Sequence, residues 1–224
     1  MEERSTESAL LVDTMGVPQL YYFTIRGFGE YIRLLFVDQG IKFEDIRYVY
    51  GSPEWDEHKK EMIFGQMPTL KHDGKEYAQT GTIMRHLARV HNLNGSNEDE
   101  STFLDMFFEG ARDSRMKYVR YIYYDEGTRD EVTHKTLPEC LKNFERLFNL
   151  HRGSFIIGDK PNYADYILFE ELDVYTHLDA KILDAFPSLK AFWEMMWQRP
   201  NLKAYLEKRK ADGVWISATE KGMK

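Results

Sequence analysis

The chain has 224 residues, of which 42% are hydrophobic and 14% aromatic, and carries a formal net charge of -7. That is enough apolar material for a sizeable core, while the acidic balance excludes a general nucleic-acid surface, which needs a basic stripe. No run of about 18 apolar residues occurs, so no membrane span is expected. The single cysteine, Cys140, rules out an internal disulfide and fits a reducing, cytoplasmic compartment.

Residues 1–16 hold one apolar cluster, Ala9 to Val12, too short for a signal-peptide core, and are expected to form a flexible extension. Gln19 to Thr24 is short and rich in β-formers, as a buried strand is. Arg26-Gly27-Phe28-Gly29 reads as a turn. Glu30 to Gln39 predicts a helix, with Tyr31, Leu34, Leu35 and Asp38 at helical spacing and Gly40 as its stop. Phe43 to Tyr50 predicts a second strand, and a polar loop or short helix carrying Trp55 follows. Thr69 to Lys71 is a short strand after Pro68. His72-Asp73-Gly74-Lys75 carries the Asp-Gly hairpin signal, and Glu76 to Gln79 returns as the next strand. Thr80 to His91 predicts a helix with Ile83, Leu87 and Val90 on one side.

Beyond Asn92 only helices are expected. Residues 93–98 read as a polar linker. Thr102 to Tyr124, Glu131 to His151 (continuous, or broken at Pro138), Tyr163 to His177, Phe186 to Arg199 and Leu202 to Ala211 follow as helices. An α/β unit over 17–92 and an all-α unit over 99–224 make a segregated architecture. The seven histidines are scattered. There is no HExxH, CxxC or carboxylate cluster, so no metal site is expected. Gly27-Phe28-Gly29 is a lone Gly-x-Gly, which is a turn rather than a nucleotide fingerprint. The turn after the first strand, where a disulfide oxidoreductase carries CxxC, holds no cysteine, which excludes disulfide exchange as the main chemistry.

Tyr22-Phe23-Thr24-Ile25-Arg26-Gly27 with Glu30 and Arg33, Phe64-Gly65-Gln66-Met67-Pro68, and Gln79-Thr80 opening a helix together resemble the cytosolic glutathione S-transferases. Asp105-Met106 through Asp113, Arg115, Lys117-Tyr118 and Ile122-Tyr123 resemble the pi class, including its nematode members. Gly158-Asp159, Tyr163-Ala164-Asp165-Tyr166 and the stretch from Arg199-Pro200 to Leu206 complete the match, over about Val17 to Ala218. The resemblance implies a thioredoxin-like N-terminal domain, an all-α C-terminal domain, glutathione as co-substrate, and transfer of its thiolate to hydrophobic electrophiles.

Each motif also has a physical reading. A free thiol titrates near about 8.5 and is mostly protonated at neutral pH. A phenol that donates a hydrogen bond stabilises the thiolate and lowers that value. The resemblance gives this role to Tyr22, with Tyr21 the neighbouring alternative. It makes Met67-Pro68 a cis peptide whose Met67 backbone meets the cysteinyl unit, with Gln66 beside it. It places the γ-glutamyl carboxylate at Gln79 and Thr80, where Thr80 is a suitable N-cap and a helix N-terminus binds anions. Trp55 and Lys59, or Lys60 in its place, match holders of the glycyl carboxylate. Asp113 matches an acid that reaches the glutathione of the partner subunit.

By the same register the electrophile pocket takes Phe23, Ile25, Phe28, Val119, Tyr123, Ser217 and Ala218. Phe28 departs from the pi pattern, which often carries Arg there, and Met62 stands where many pi enzymes hold a reactive cysteine. Phe64 matches the aromatic key of a two-fold homodimer. Asn162 with Asp165 matches a capping box, a folding device. Two other functions use the same fold, a glutathione-dependent isomerase and a non-catalytic ligand-binding protein. Assays on different substrates separate the first, and affinity for glutathione without turnover marks the second.

Overall fold

The computed structural model describes residues 16–219. The expected extension over 1–16 therefore lies outside the described residues, apart from Gly16. The N-terminal part runs β1 (Gln19–Phe23), a 3-10 turn (Gly27–Gly29), α1 (Glu30–Asp38), β2 (Glu44–Tyr48), α2 (Pro53–His58), β3 (Thr69–His72), β4 (Lys75–Ala78) and α3 (Thr80–Val90). The sheet order is β2-β1-β3-β4, with β1 parallel to β2 and antiparallel to β3, and β3 antiparallel to β4. The helical part holds α4 (Glu98–Tyr123), α5 (Leu137–Phe148), α6 (Tyr163–Leu178), α7 (Pro187–Trp197) and α8 (Pro200–Ala211).

Local chemistry explains the boundaries. Gly40 has φ +65, and its N–H bonds the Val37 carbonyl while Ile41 N–H bonds Phe36, the Schellman closure of α1. Asp73 (φ +51) and Gly74 (φ +70) supply the left-handed pair that a tight hairpin demands. The second strand is shorter than Phe43 to Tyr50. Phe43 instead stacks on Phe36 at 4.6 Å, and Ser52 N–H turns back to the Val49 carbonyl. The helical run through Pro138 is continuous: it widens into a π-helix over Val132–Thr136 and goes on as α5, with the proline at its second position. Asn162 and Asp165 form the reciprocal capping box at the start of α6, with Asn162 N–H to the Asp165 carboxylate at 2.6 Å.

The main core joins Leu20, α1 and α3 to the helical part, and α6 runs through its centre with nearly every side chain buried. A smaller cluster of Tyr21, Tyr48, Trp55 and Met62 covers the other face of the sheet. Three carboxylates sit in the buried middle of α6. Arg26, from the turn after β1, grips Glu170 with two bonds of 2.8 Å and Asp173 at 2.7 Å. Arg209 of α8 reaches Glu30, Glu170 and Asp173 at 2.9, 3.1 and 2.9 Å. Trp193 and Trp197 donate their indole N–H groups to the other Asp173 oxygen at 3.1 and 3.0 Å. Opposite charges thus compensate one another where water is absent, and they clamp both ends of the chain onto α6.

Candidate functional site

Tyr22, the last but one residue of β1, lies on the face that Leu20 turns toward the main core, because strand side chains alternate. It is only 4% exposed. Its hydroxyl accepts the Phe28 N–H at 2.8 Å and donates to none of the described residues. The turn that presents this N–H wraps tightly over the ring. A methyl group on Gly27 would overlap the Tyr22 hydroxyl, and one on Gly29 would overlap the ring, so the lone Gly-x-Gly makes room for a tyrosine. The turn is fixed from the far end of the chain, by Arg26 N–H to the Trp215 carbonyl at 2.8 Å and Gly27 N–H to Ile216 at 3.0 Å. Arg33 lies 5.6 Å over the Tyr22 ring and donates to the Ile25 and Phe23 carbonyls at 2.8 and 3.1 Å.

Burial pushes the Tyr22 phenol up, outweighing the Phe28 N–H and the Arg115 and Arg33 charges that pull it down. The group therefore keeps its proton at neutral pH. It can donate to an anion, and it is not a base.

A cavity of about 510 Å³ opens beside the Phe28 turn. It gathers Phe28, Gln66, Met67, Pro68, Gln79 and Thr80, all named above, and its other wall is Arg85, Glu109, Arg112 and Met116. The Met67–Pro68 peptide is cis. Thr69 Oγ1 donates to the Gln66 carbonyl at 3.1 Å, and the Gln79 amide reaches Gln66 Oε1 at 3.4 Å.

Thr80 is not the N-cap. Gln79 takes that position, with φ +70 and no side-chain cap bond, and Thr80 is the first residue of α3. A left-handed non-glycine backbone is strained, and such strain persists where surroundings hold it for a purpose. No side chain caps the first N–H groups of α3, which face this wall.

The remaining expected residues are spread out. Ile25 and Ala218 share a second cavity of about 400 Å³ with Thr24, Tyr50 and Trp215. Tyr123 Oη accepts the Ala218 N–H at 2.9 Å, Ser217 is buried, and Val119 packs half-buried against the main core. Phe23 meets Tyr50 and Trp55 edge-on at 5.2 Å, among the smaller cluster. Trp55 is buried there rather than in the 510 Å³ cavity, and Lys59 pairs with Asp56 at 2.6 Å. Asp113 stands exposed on α4, and Phe64 is 62% exposed before β3.

Sequence reasoning did not single out Arg85, Glu109 or Arg112 as cavity wall, nor Arg115 as a buried charge. For Arg115 a signal was available. The buried stripe of α4 runs Leu104, Phe107, Phe108, Ala111, Ser114, Arg115, Tyr118, Ile122, and an arginine in an apolar stripe is unusual.

Comparison with known proteins agrees with this architecture. Residues 18–89 match the family domain described as glutathione S-transferase, N-terminal domain, and residues 112–209 match glutathione S-transferase, C-terminal domain. The chain is similar to glutathione S-transferase P 10 of Caenorhabditis elegans, 73% identical over 209 residues, covering 93% of this chain and all of that one. It is 47% identical over 197 residues to glutathione S-transferase P of the same organism, covering 86% of this chain and 93% of the relative. The solved pi-class glutathione S-transferase of Onchocerca volvulus superposes with a TM-score of 0.88 at 45% identity, over 93% of this chain and all of that structure. The chain belongs to the glutathione S-transferases, in their pi class. Its activity is that of a glutathione transferase, with glutathione as co-substrate.

Proposed function

We propose that the 510 Å³ cavity holds glutathione with its sulphur facing Tyr22, and that Tyr22 donates the hydrogen bond that keeps the sulphur as thiolate. The observation that carries this reading is the buried Tyr22 hydroxyl, which accepts from Phe28 N–H and has its own proton to give. The Met67 backbone pairs with the cysteinyl unit, Gln66 and the start of α3 at Gln79 and Thr80 take the γ-glutamyl end, and Trp55 and Lys59 serve the glycyl end when glutathione is bound. For Lys59 this means leaving Asp56, an exposed pair worth little. Glutathione is thereby held near its electrophile, and the enzyme contributes proximity and a ready nucleophile. Residues 17–92 act as the glutathione domain, 93–98 as linker, and 99–224 as the domain that completes the electrophile side.

The electrophile side is apolar. Ile25, Phe28, Val119, Tyr123, Ser217, Ala218 and the edge of Phe23 suit small hydrophobic electrophiles, including aldehydes from oxidised lipids, in a detoxifying role in the cytoplasm. The partner is a second copy of this chain. Ile63 and Phe64, both 62% exposed, and the exposed Met106 and Met116 of α4 offer apolar surface for a two-fold contact, with Asp113 directed to the neighbouring glutathione. Among the described residues no helix is long and apolar enough to cross a membrane.

The test is Tyr22→Phe. Glutathione binding by calorimetry should persist while turnover falls about 10²-fold, the usual cost of one donor at a developing or held anion. Unchanged turnover would overturn the role of Tyr22. Phe64→Glu should shift the sedimenting species from dimer to monomer.

A further inference from the structure

The turn that holds Tyr22 has a second layer behind it. Phe28 brings no charge of its own, and its ring lies 5.9 Å from the Arg115 guanidinium of α4. Arg115 is 2% exposed. Among the described residues its hydrogen-bond partner is Glu171 of α6, at 3.3 Å. The ring of Tyr118, one turn on, lies 5.2 Å from the same guanidinium. Tyr31 of α1 donates to the same Glu171 oxygen at 2.5 Å, and its ring meets Phe28 at 6.3 Å. The other Glu171 oxygen makes no hydrogen bond among the described residues.

This arrangement differs from the other buried arginines nearby. Arg26 has three carboxylate bonds of 2.8 Å or less. Arg33 has Glu30, Asp45 and two carbonyls. Arg115 has one long pair, to a carboxyl whose ionisation burial opposes and whose neighbour Glu170 opposes it further. Arg115 thus has the fewest direct carboxylate bonds of the three, and it is set in a dry interior where fields reach far.

We propose that Arg115 supplies, through the Phe28 turn, the positive field that stabilises the glutathione thiolate at Tyr22, with Glu171 setting how much of that field is released. Arg115 is a positioning charge and does not touch the substrate. The inference rests on the reading of Tyr22 given above. Consistent with it, the Arg115 charge acts on the Tyr22 phenol ahead of Arg33, in the direction that favours a negative charge there.

The experiment titrates the thiolate absorbance of bound glutathione in the full-length protein. It compares the unsubstituted chain with Tyr22→Phe, Arg115→Met, Arg115→Lys, Glu171→Gln and the double variant Arg115→Met/Glu171→Gln. Arg115→Met should raise the bound thiol's titration midpoint by about one pH unit, as loss of one charge across a low-dielectric gap of several ångströms implies. Arg115→Lys should restore at least half of that shift. Glu171→Gln should leave the midpoint unchanged or lower it, because it removes only the counter-charge. The double variant buries no unpaired carboxylate, so it keeps the test valid where Arg115→Met folds poorly. It should still be raised above the unsubstituted chain, though by less than Arg115→Met, which leaves the Glu171 counter-charge behind.

A folded double variant that titrates like the unsubstituted protein would overturn the role of Arg115. So would a rise in Glu171→Gln equal to that in Arg115→Met, which marks a packing role only. If Tyr22→Phe leaves the midpoint in place, the reading of Tyr22 fails instead.

Discussion

Replacing Asp173 should destabilise the whole fold, because four donors converge on one carboxylate. Arg26 and Arg209 take one oxygen at 2.7 and 2.9 Å, while Trp193 and Trp197 take the other at 3.1 and 3.0 Å. In Asp173→Ala both arginines keep Glu170, so neither cation is left alone. The two indole N–H groups lose their acceptor, and the cluster loses one of its buried negative charges. Breaking a buried, hydrogen-bonded pair of this kind costs about 3–5 kcal/mol, a large part of a typical stability of about 5–15 kcal/mol. With a urea slope near the top of the range of about 1–3 kcal/mol per molar, the midpoint should fall by roughly 1–2 M. Asp173→Asn keeps an oxygen for the indoles and should lose less.

Indole fluorescence is a direct assay, since two of the four tryptophans bond this residue. A midpoint shift in Asp173→Ala of less than about 0.3 M, on the same slope, would refute the argument that Asp173 organises the interior. The carboxyl is held below its ordinary value, with burial opposed by Arg26 and Arg209. Its contribution is therefore present above the unfolded value of about 3.9 and is lost as pH falls through the lower folded value. An acid titration of stability should lose that limb in the Asn variant.

Gly29→Ala should cost about 1–3 kcal/mol by overpacking against the Tyr22 ring and depress turnover more than glutathione affinity, measured by steady-state rates and calorimetry, while Gly127→Ala, with no close neighbour but the Asp125 side chain, leaves both in place. Asn162→Ala should cost about 1 kcal/mol or somewhat more in denaturant melts through the lost cap on α6. His86 and His91 are held below their ordinary value by burial and by His72, and their Nε2 atoms have no hydrogen-bond partner among the described residues. Their neutral forms thus favour the fold above the unfolded value of about 6.5, and this stability is lost as pH falls below it. Melts of His86→Gln and His91→Gln between neutral and mildly acid pH should show a flatter decline than the unsubstituted chain.

The strands and most helices were legible because their signals are local. β-formers mark β1, Asp-Gly marks the hairpin, and Asn162 with Asp165 marks the start of α6. Partnerships across the chain were not legible. Glu170, Glu171 and Asp173 look like the solvated face of a helix until Arg26, at separations of 144 and 147 residues, and Arg209, at 39 and 36, are seen to close on two of them. Thr80 looked like a cap because its side chain suits one, yet Gln79, with its left-handed backbone, takes the cap position and Thr80 is the first helical residue. The cavity motifs at Gln66 to Pro68 and Gln79 to Thr80 did come together, since each belongs to a rigid strand or helix end. Trp55 lies in, and Lys59 just after, a short helix that Ser52 caps and Pro53 opens, a local signal that fixes the helix but not where these two side chains reach.

The two backbone bonds from Arg26 and Gly27 to Trp215 and Ile216 have a consequence in time. They join segments separated by nearly the length of the chain, and contacts of that span form late, after much of the intervening structure has paid its ordering entropy. During synthesis the strand with Tyr22 leaves the ribosome long before the segment that steadies its turn. A nascent chain can therefore possess its sheet well before its phenol is set, and the turn over Tyr22 is steadied only once Trp215 and Ile216 have been made.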